Sequence, residues 1–395
     1  MWHNVTTVAN FGQDSSFAGN KTAQGNQDSN DVGDFYYTPP SSSLALCTDN
    51  LPTPSIVLPG EYFNTKLYTG TGSSQSITGV GFQPDMTWIK SRTTTHQHMV
   101  FDVNRAVTDY IVPDATDAEA TDAGQFTAFD SDGFSLGSGS STNATSANFV
   151  SWNWKAGGTG VSNTDGSITS TVSADTTSGF SIVKWTGTGS NATVGHGLSQ
   201  APDLVINKSL NNGTSSQLWA VQSILWNSAS DTNMLYLNNT SAQADDTNVF
   251  QAAPTASVFS PQGGAWPGIG VNAIDYIAYC FHSVEGYSKI GSYEGNNDDR
   301  DGTFTFTGFK PAYVMIKRAS AVEGWMIYDN KISPHNEAEA RLQANLINAE
   351  DTTENGIDMV SNGFECRTNW AGINASSDYM YIAFAEAPFK YSNAR

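Results

Sequence analysis

The sequence predicts an all-β protein of tandem β-sandwich domains, jelly-roll-like in type, and three observations carry that expectation. One motif occurs three times, as GFQPDMTWIKSR (Gly81 to Arg92), SQAPDLVINKSL (Ser199 to Leu210) and GFKPAYVMIKRA (Gly308 to Ala319). Charged residues make up only 14% of the 395 residues, so polarity comes from Ser, Thr, Asn, Gln and Gly, which suit strands and turns better than helices. Aromatic residues reach 11%, which supplies large side chains to bury and argues against disorder.

Each repeat has recognisable parts. An aromatic strand end runs into a Gly-rich turn at Leu67 to Gly72, Lys184 to Gly189 and Ser292 to Asn297. The motif follows, with Pro84, Pro202 or Pro311 ending a loop where a missing N–H costs little, and then alternating residues that put Met86 with Trp88, and Tyr313 with Met315, on one side. A second alternating strand closes each unit, beginning at Phe149, Tyr276 and Tyr379. Asp132-Gly133 and Asn362-Gly363 mark hairpins in the first and third units, placing Phe134 and Phe364 in the core. The prolines recur at about 110–120 residues, the size of a sandwich domain. The expected division is residues 1–55 as the remnant of another module or a docking segment, 56–158 as the first sandwich, 159–178 as a Gly/Ser/Thr linker, 179–286 as the second sandwich and 287–395 as the third. Each sandwich is expected to be closed by its own apolar interior. Helix is expected only at Asn336 to Glu350 and, more weakly, at Ala115 to Ala123.

Charge excludes one class of partner. A net charge of −20 with 18 Lys+Arg lacks the basic footprint that nucleic acid requires. No apolar run approaches the roughly 20 residues of a membrane span, and the first residues carry no basic and apolar export pattern, so neither membrane insertion nor secretion by a leader is expected. Cys47, Cys280 and Cys366 are widely spaced and read as buried small hydrophobes.

Catalytic patterns are missing. There is no phosphate-binding Gly-rich loop between strand and helix, no GxSxG elbow and no HExxH; His96 and His98 are expected in a surface loop. Asn297, Asp299 and Asp301 in NDDRDG have the alternate spacing of a calcium loop, although its twelfth position is Gly308 where a Glu is needed, so calcium is the one cofactor to consider. Trp152 and Trp154 share a strand face and are assigned to a core. Trp266, Trp219 and Trp226 lie in the irregular middle unit and are expected to be exposed, as glycan-stacking rings, with Trp266 foremost. The Asn-x-Ser/Thr triplets at Asn143, Asn191 and Asn374 are attributed to composition.

Two resemblances follow from these residues. FGQDSSFAG with GDFYYTPPSSSLALCTDNLP, within residues 1–55, is similar to the end of a SPRY domain, with Ser42 or Ser43 where that pattern has Gly. GFQPDMTWIKSR, SDGFSLGS, FVSWNWKAGG, YIAYCFHSVEGYSKIGSY, GFKPAYVMIKRA and YIAFAEAPFKYSNAR together resemble the tandem domains of virion structural and tail-fibre-like proteins of marine tailed bacteriophages. That resemblance implies a non-enzymatic virion-surface protein, assembled in the host cytoplasm with other virion proteins. It implies multivalent attachment to host-surface glycan or protein, with a homotrimer as the favoured oligomer. The alternatives are a purely architectural capsid-decoration or filament subunit and, behind it, a polysaccharide depolymerase.

Overall fold

The structure, a computed structural model, describes residues 9–211, 218–223, 233–245, 249–264, 269–354 and 356–392. Its regular structure is nearly all antiparallel β, with one four-residue helix, Ser140–Asn143, among the described residues. No helix there is long and apolar enough to cross a membrane.

One strand order occurs three times. In the first unit a large sheet runs Phe63–Thr69, Asn148–Trp154, Met86–Ser91, Met99–Asp102. In the third it runs Ser288–Glu294, Asp378–Pro388, Phe309–Arg318, Trp325–Asp329, Arg341–Gln343. In the second, the same core order is Phe180–Thr186, Asp275–Phe281, Leu204–Ser209, Ala220–Ser223, Asn233–Tyr236, extended at both ends to eight strands. A three-stranded sheet accompanies each, with middle strands Gly133–Leu136, Val258–Pro261 and Gly363–Cys366. The middle strand of the first of these needs its glycine: Gly133 has φ +148°, and a Cβ there would meet the Ile77 carbonyl oxygen at 1.9 Å.

The motif strand explains the packing. All six residues of Met86–Ser91 and of Leu204–Ser209 are buried, so both faces of each large sheet are covered. Alternation sends Ile89, Val205, Val314 and Ile316 outward onto the small sheet of their own unit, where each unit has its own core. The alternate residues Met86 and Trp88, Leu204 and Ile206, Tyr313 and Met315 point the other way, into one core shared by all three units. The expectation of three separately closed sandwiches is therefore corrected: each has a private outer core, but the inner faces are apolar surfaces that only the other two units can cover. Trp152 and Trp154 lie in that shared core, as assigned.

Around it the units are joined in a closed cycle. Register makes Lys90, Lys208 and Lys317 equivalent, four residues after Met86, Leu204 and Tyr313, and all three are fully buried. Each Nζ donates to a carbonyl of another unit: Lys90 to Ile347 (3.1 Å), Lys208 to Thr116 (3.2 Å), Lys317 to Thr240 (3.5 Å). The next position across the sheet holds His98, Trp219 and Trp325. Trp219 Nε1 donates to the Val112 carbonyl and Trp325 Nε1 to the Tyr236 carbonyl, both at 2.9 Å; His98 Nε2 lies 3.0 Å from the Gln343 carbonyl, as its donor. Two residues past each lysine, the carbonyls of Arg92, Leu210 and Ala319 accept N–H bonds from Glu350, Glu119 and Gln243, each at 2.8 Å. Unit 1 thus clasps unit 3, unit 2 clasps unit 1 and unit 3 clasps unit 2, by the same three contacts.

Other expectations are also corrected. Residues 159–178 are not a linker: Val161–Asn163 and Ser170–Asp175 form a hairpin at the edge of the second large sheet, with Val172 buried. Asn336 to Glu350 holds no helix; Ala338, Arg341 and Leu342 are buried, and Arg341–Gln343 pairs with Trp325–Asp329. Helix propensity is outweighed there by a sheet edge already formed. Ala115 to Ala123 contributes the short strand Ala120–Thr121. Residues 9–55 have no ladder beyond an Asn26–Phe35 bridge and a 3₁₀ turn at Thr48–Asn50, in place of the strands expected of a SPRY-like end. Asp28 organises that segment, accepting from the backbone N–H of Asn30, Val32 and Ala45 and from the Asn50 amide. Cys47 is exposed, while Cys280 and Cys366 are buried.

Candidate functional site

Of the residues singled out for glycan stacking, the structure describes Trp219. Trp219 is 1% exposed, held by the Val112 carbonyl and the shared core, so it cannot present a face to a ligand. An indole at that register position serves the clasp between units. Trp226 and Trp266 lie outside the described residues. His98 is also buried rather than in a surface loop; it accepts from Trp88 Nε1 at 2.8 Å while its other nitrogen meets Gln343. Burial holds its imidazole well below the usual pKa, hence neutral.

The loop carrying Asn297, Asp299 and Asp301 is closed by its own turns. Asp298, not Asp299 or Asp301, accepts the Arg300 and Asp301 N–H groups, and Asn296 Nδ2 donates to the Asp301 carbonyl. Asp299 faces Arg300 at 3.9 Å, both well exposed. No group of three His, Cys, Asp or Glu side chains gathers among the described residues in a way that could hold a metal. Asn143 and Asn374, from the Asn-x-Ser/Thr triplets, are fully buried; their amides hold equivalent loops, donating to Ser73 and Gly137 and to Asp298 and Thr368.

A cavity of about 30 Å³ lies in the shared core, lined by Met86, Ile206, Tyr313 and Met315 among others. Room for one water without polar partners makes it a dry packing void. The wide groove by Gly81 to Asp85 has its central carboxylate already engaged: Asp85 accepts from the Ala156 and Gly158 N–H groups.

The strongest site is a polar cleft of about 460 Å³ on unit 3, lined by Lys310, Asn330, Lys331, Ser333, His335, Asn336 and Glu386. A second hollow of about 210 Å³ shares Asn330, Lys331 and Glu386 and reaches Asn64 and Thr65 of unit 1. The strand Trp325–Asp329 delivers Asn330 and Lys331 just past its end, and Lys310 and Glu386 come from neighbouring strands. Lys310 Nζ meets Glu386 Oε2 at 2.6 Å, and Asn330 Nδ2 donates to the same oxygen at 2.9 Å. The carboxylate demands a donor, which fixes the amide; Asn330 Oδ1 is then a buried acceptor without a partner. Beneath the cleft Asp329 is fully buried and accepts from Thr65 Oγ1 (2.6 Å), Trp152 Nε1 (3.0 Å) and the N–H groups of Lys331 and Ile332. Burial pushes its carboxyl up, and these four donors work against that rise.

Why the cleft is open is visible at the equivalent seam. Asn104 stands where unit 3 has Lys331, and its amide donates to the Thr171 and Ile182 carbonyls, so the 161–175 hairpin of unit 2 fills the space. The first strand of unit 1 has no such hairpin beside it. Sequence reasoning missed the cleft because its residues come from four separated segments; the recurring Lys at 90, 208 and 317 was visible, but as part of a strand pattern.

No curated protein and no solved structure matches this chain. The family model of a domain of unknown function, DUF7483, matches residues 58–388, which takes in the strands of all three units. The chain belongs to the DUF7483 family.

Proposed function

We propose that this chain is a non-enzymatic structural protein of a virion surface, a tail or head fibre component, that attaches to host-surface glycan through the cleft at the seam of units 3 and 1. The observation that carries the reading is the allocation of polar groups. Buried polar groups such as Lys90, Lys208, Lys317, Trp219, Trp325 and Asp329 hold one unit against another. The cleft, by contrast, is lined by the exposed Lys331 and His335 side chains, which hold no other unit, beside the Lys310–Glu386 pair. A stiff body presenting a fixed polar hollow is suited to binding without chemistry, and weak sites gain strength when several copies act together. The trimer and the other virion proteins as neighbours belong to this proposal.

The test is binding of the purified chain to host cells, before and after enzymatic removal of surface glycan, with its oligomeric mass measured in the same preparation. Binding lost on glycan removal supports attachment; undiminished binding after removal rejects the glycan. A purely architectural role has its own support in Phe304 and Phe306, 48% and 60% exposed on the outer strand of a three-stranded sheet. Antibody labelling that covers the particle evenly, without cell binding, would favour it.

A further inference from the structure

Resting on that reading, we infer that the cleft recognises a sugar bearing a carboxylate, and not a neutral one. The chain has 18 Lys+Arg against 38 Asp+Glu, yet Lys310 and Lys331 line this hollow together with His335. Lys331 and His335 are exposed, and their side chains make no hydrogen bond or ion pair among the described residues. Glu386 neutralises one of the two ammonium groups through Lys310, leaving the charge of Lys331 uncompensated within the cleft. An anion entering it meets that charge, with the Ser333 hydroxyl lining the same hollow.

Neutral hexoses are commonly held by stacking on an aromatic face, and no Phe, Tyr or Trp lines this cleft; Phe63, in the adjoining hollow, is 2% exposed. Charge and hydrogen bonding must therefore supply the anchor. The walls also lack the apolar pockets that a peptide side chain would need, since Met359 and Pro334 are their only large apolar members. A sugar acid fits both facts: one carboxylate for the lysine and hydroxyls for Ser333 and His335. In an acidic protein, an exposed lysine in such a hollow also orients an anionic ligand on approach, with a salt-sensitive rate.

The test is calorimetric titration of the full chain with three carboxylated oligosaccharides, an oligogalacturonate, an oligoguluronate and a sialyl-oligosaccharide, each beside its methyl ester. Lys331→Glu, a change at an exposed side chain, follows in parallel. The expected result is binding of at least one acid, at least tenfold weaker as the ester, weakened at least tenfold by Lys331→Glu, and falling as salt is raised. Equal binding of acid and ester overturns the inference while leaving glycan attachment intact. So does binding to host cells that persists in Lys331→Glu when none of the three acids binds. Absence of binding to both sugars and cells overturns the inference and the attachment reading together.

Discussion

Raising the pH from 8 to 9.5 should stabilise this protein, because three buried lysines hold its units together. Burial lowers the pKa of Lys90 and Lys317 to about 8 and of Lys208 to about 7, from 10.5. The unfolded chain keeps those protons until its pH nears 10.5. Between roughly 8 and 10 the unfolded state therefore binds up to three more protons than the folded one, and stability rises with pH. Each lysine contributes up to about 1.4 kcal/mol per pH unit, so the three give at most about 4 kcal/mol per pH unit. A neutral amine keeps two N–H groups, so the bonds to Ile347, Thr116 and Thr240 survive deprotonation. Growing self-repulsion from a net charge already at −20 opposes the gain. Above pH 10 the trend reverses, because buried tyrosines such as Tyr279 and Tyr313 have raised pKa values and stay protonated while the unfolded chain ionises. Urea unfolding at fixed ionic strength should show ΔG rising by at least about 2 kcal/mol from pH 8 to 9.5. Lys208→Met should remove about a third of that slope. A flat or falling ΔG across this interval would refute the assignment of these lysines as buried cations under strain.

Three further outcomes follow from the shared core and its clasps. Calorimetry of the full chain should give one unfolding transition, and an isolated fragment of residues 58–158 should bind a hydrophobic dye, because Met86, Trp88, Trp152 and Trp154 lose their cover; three separate transitions would restore independent sandwiches. Trp219→Phe should cost about 1–3 kcal/mol by leaving the Val112 carbonyl unpaired, and Trp219→Ala about 3–5 kcal/mol, read from urea midpoints. Asp329→Ala should cost about 3–5 kcal/mol, since four donors lose their acceptor, and Asp85→Ala less, about 1–3 kcal/mol.

The strand class, the threefold recurrence of the motif and the buried face of Met86, Trp88, Tyr313 and Met315 were legible because alternation is a local property. So was the Pro-Asp turn, whose purpose the structure supplies: Asp85 and Asp203 accept N–H bonds from the residues leaving the unit's last strand, at Ala156 and Ser283. What alternation cannot say is which of two apolar faces belongs to a neighbour. Ile89 and Trp88 look alike in sequence, yet one packs within its unit and the other among three. Asn336 to Glu350 failed for the complementary reason: good helix formers there were captured by the open edge of Trp325–Asp329. The cleft was invisible since Lys310, Asn330, His335 and Glu386 acquire proximity only after the sheet has formed.

The chain crosses two of the three seams, through residues 155–160 and 282–287, but not the seam between units 3 and 1. That seam lacks the tether which keeps the other two units at high local concentration, so extra attraction there compensates. It carries what the other two do not: Arg92 Nε and Nη2 grip Glu350 at 2.7 and 3.2 Å, where Leu210 and Ala319 hold the equivalent positions. Residues before unit 1 add a second hold, as Lys390 Nζ donates to the Asp49 and Leu51 carbonyls. Both Arg92 and Glu350 are partly buried, and a bidentate pair in that setting is worth about 1 kcal/mol. Arg92→Ala should therefore leave the cycle closed while letting it open more often at this seam alone. Hydrogen exchange should quicken several-fold at the Glu350 amide and not at the Glu119 or Gln243 amides, which make the matching clasps. Raised salt should reproduce part of the effect in the unaltered chain, since an ion pair is screened where a carbonyl contact is not. Uniform acceleration at all three seams would mean that the cycle opens only as a whole, and that the untethered seam is no weaker than the rest.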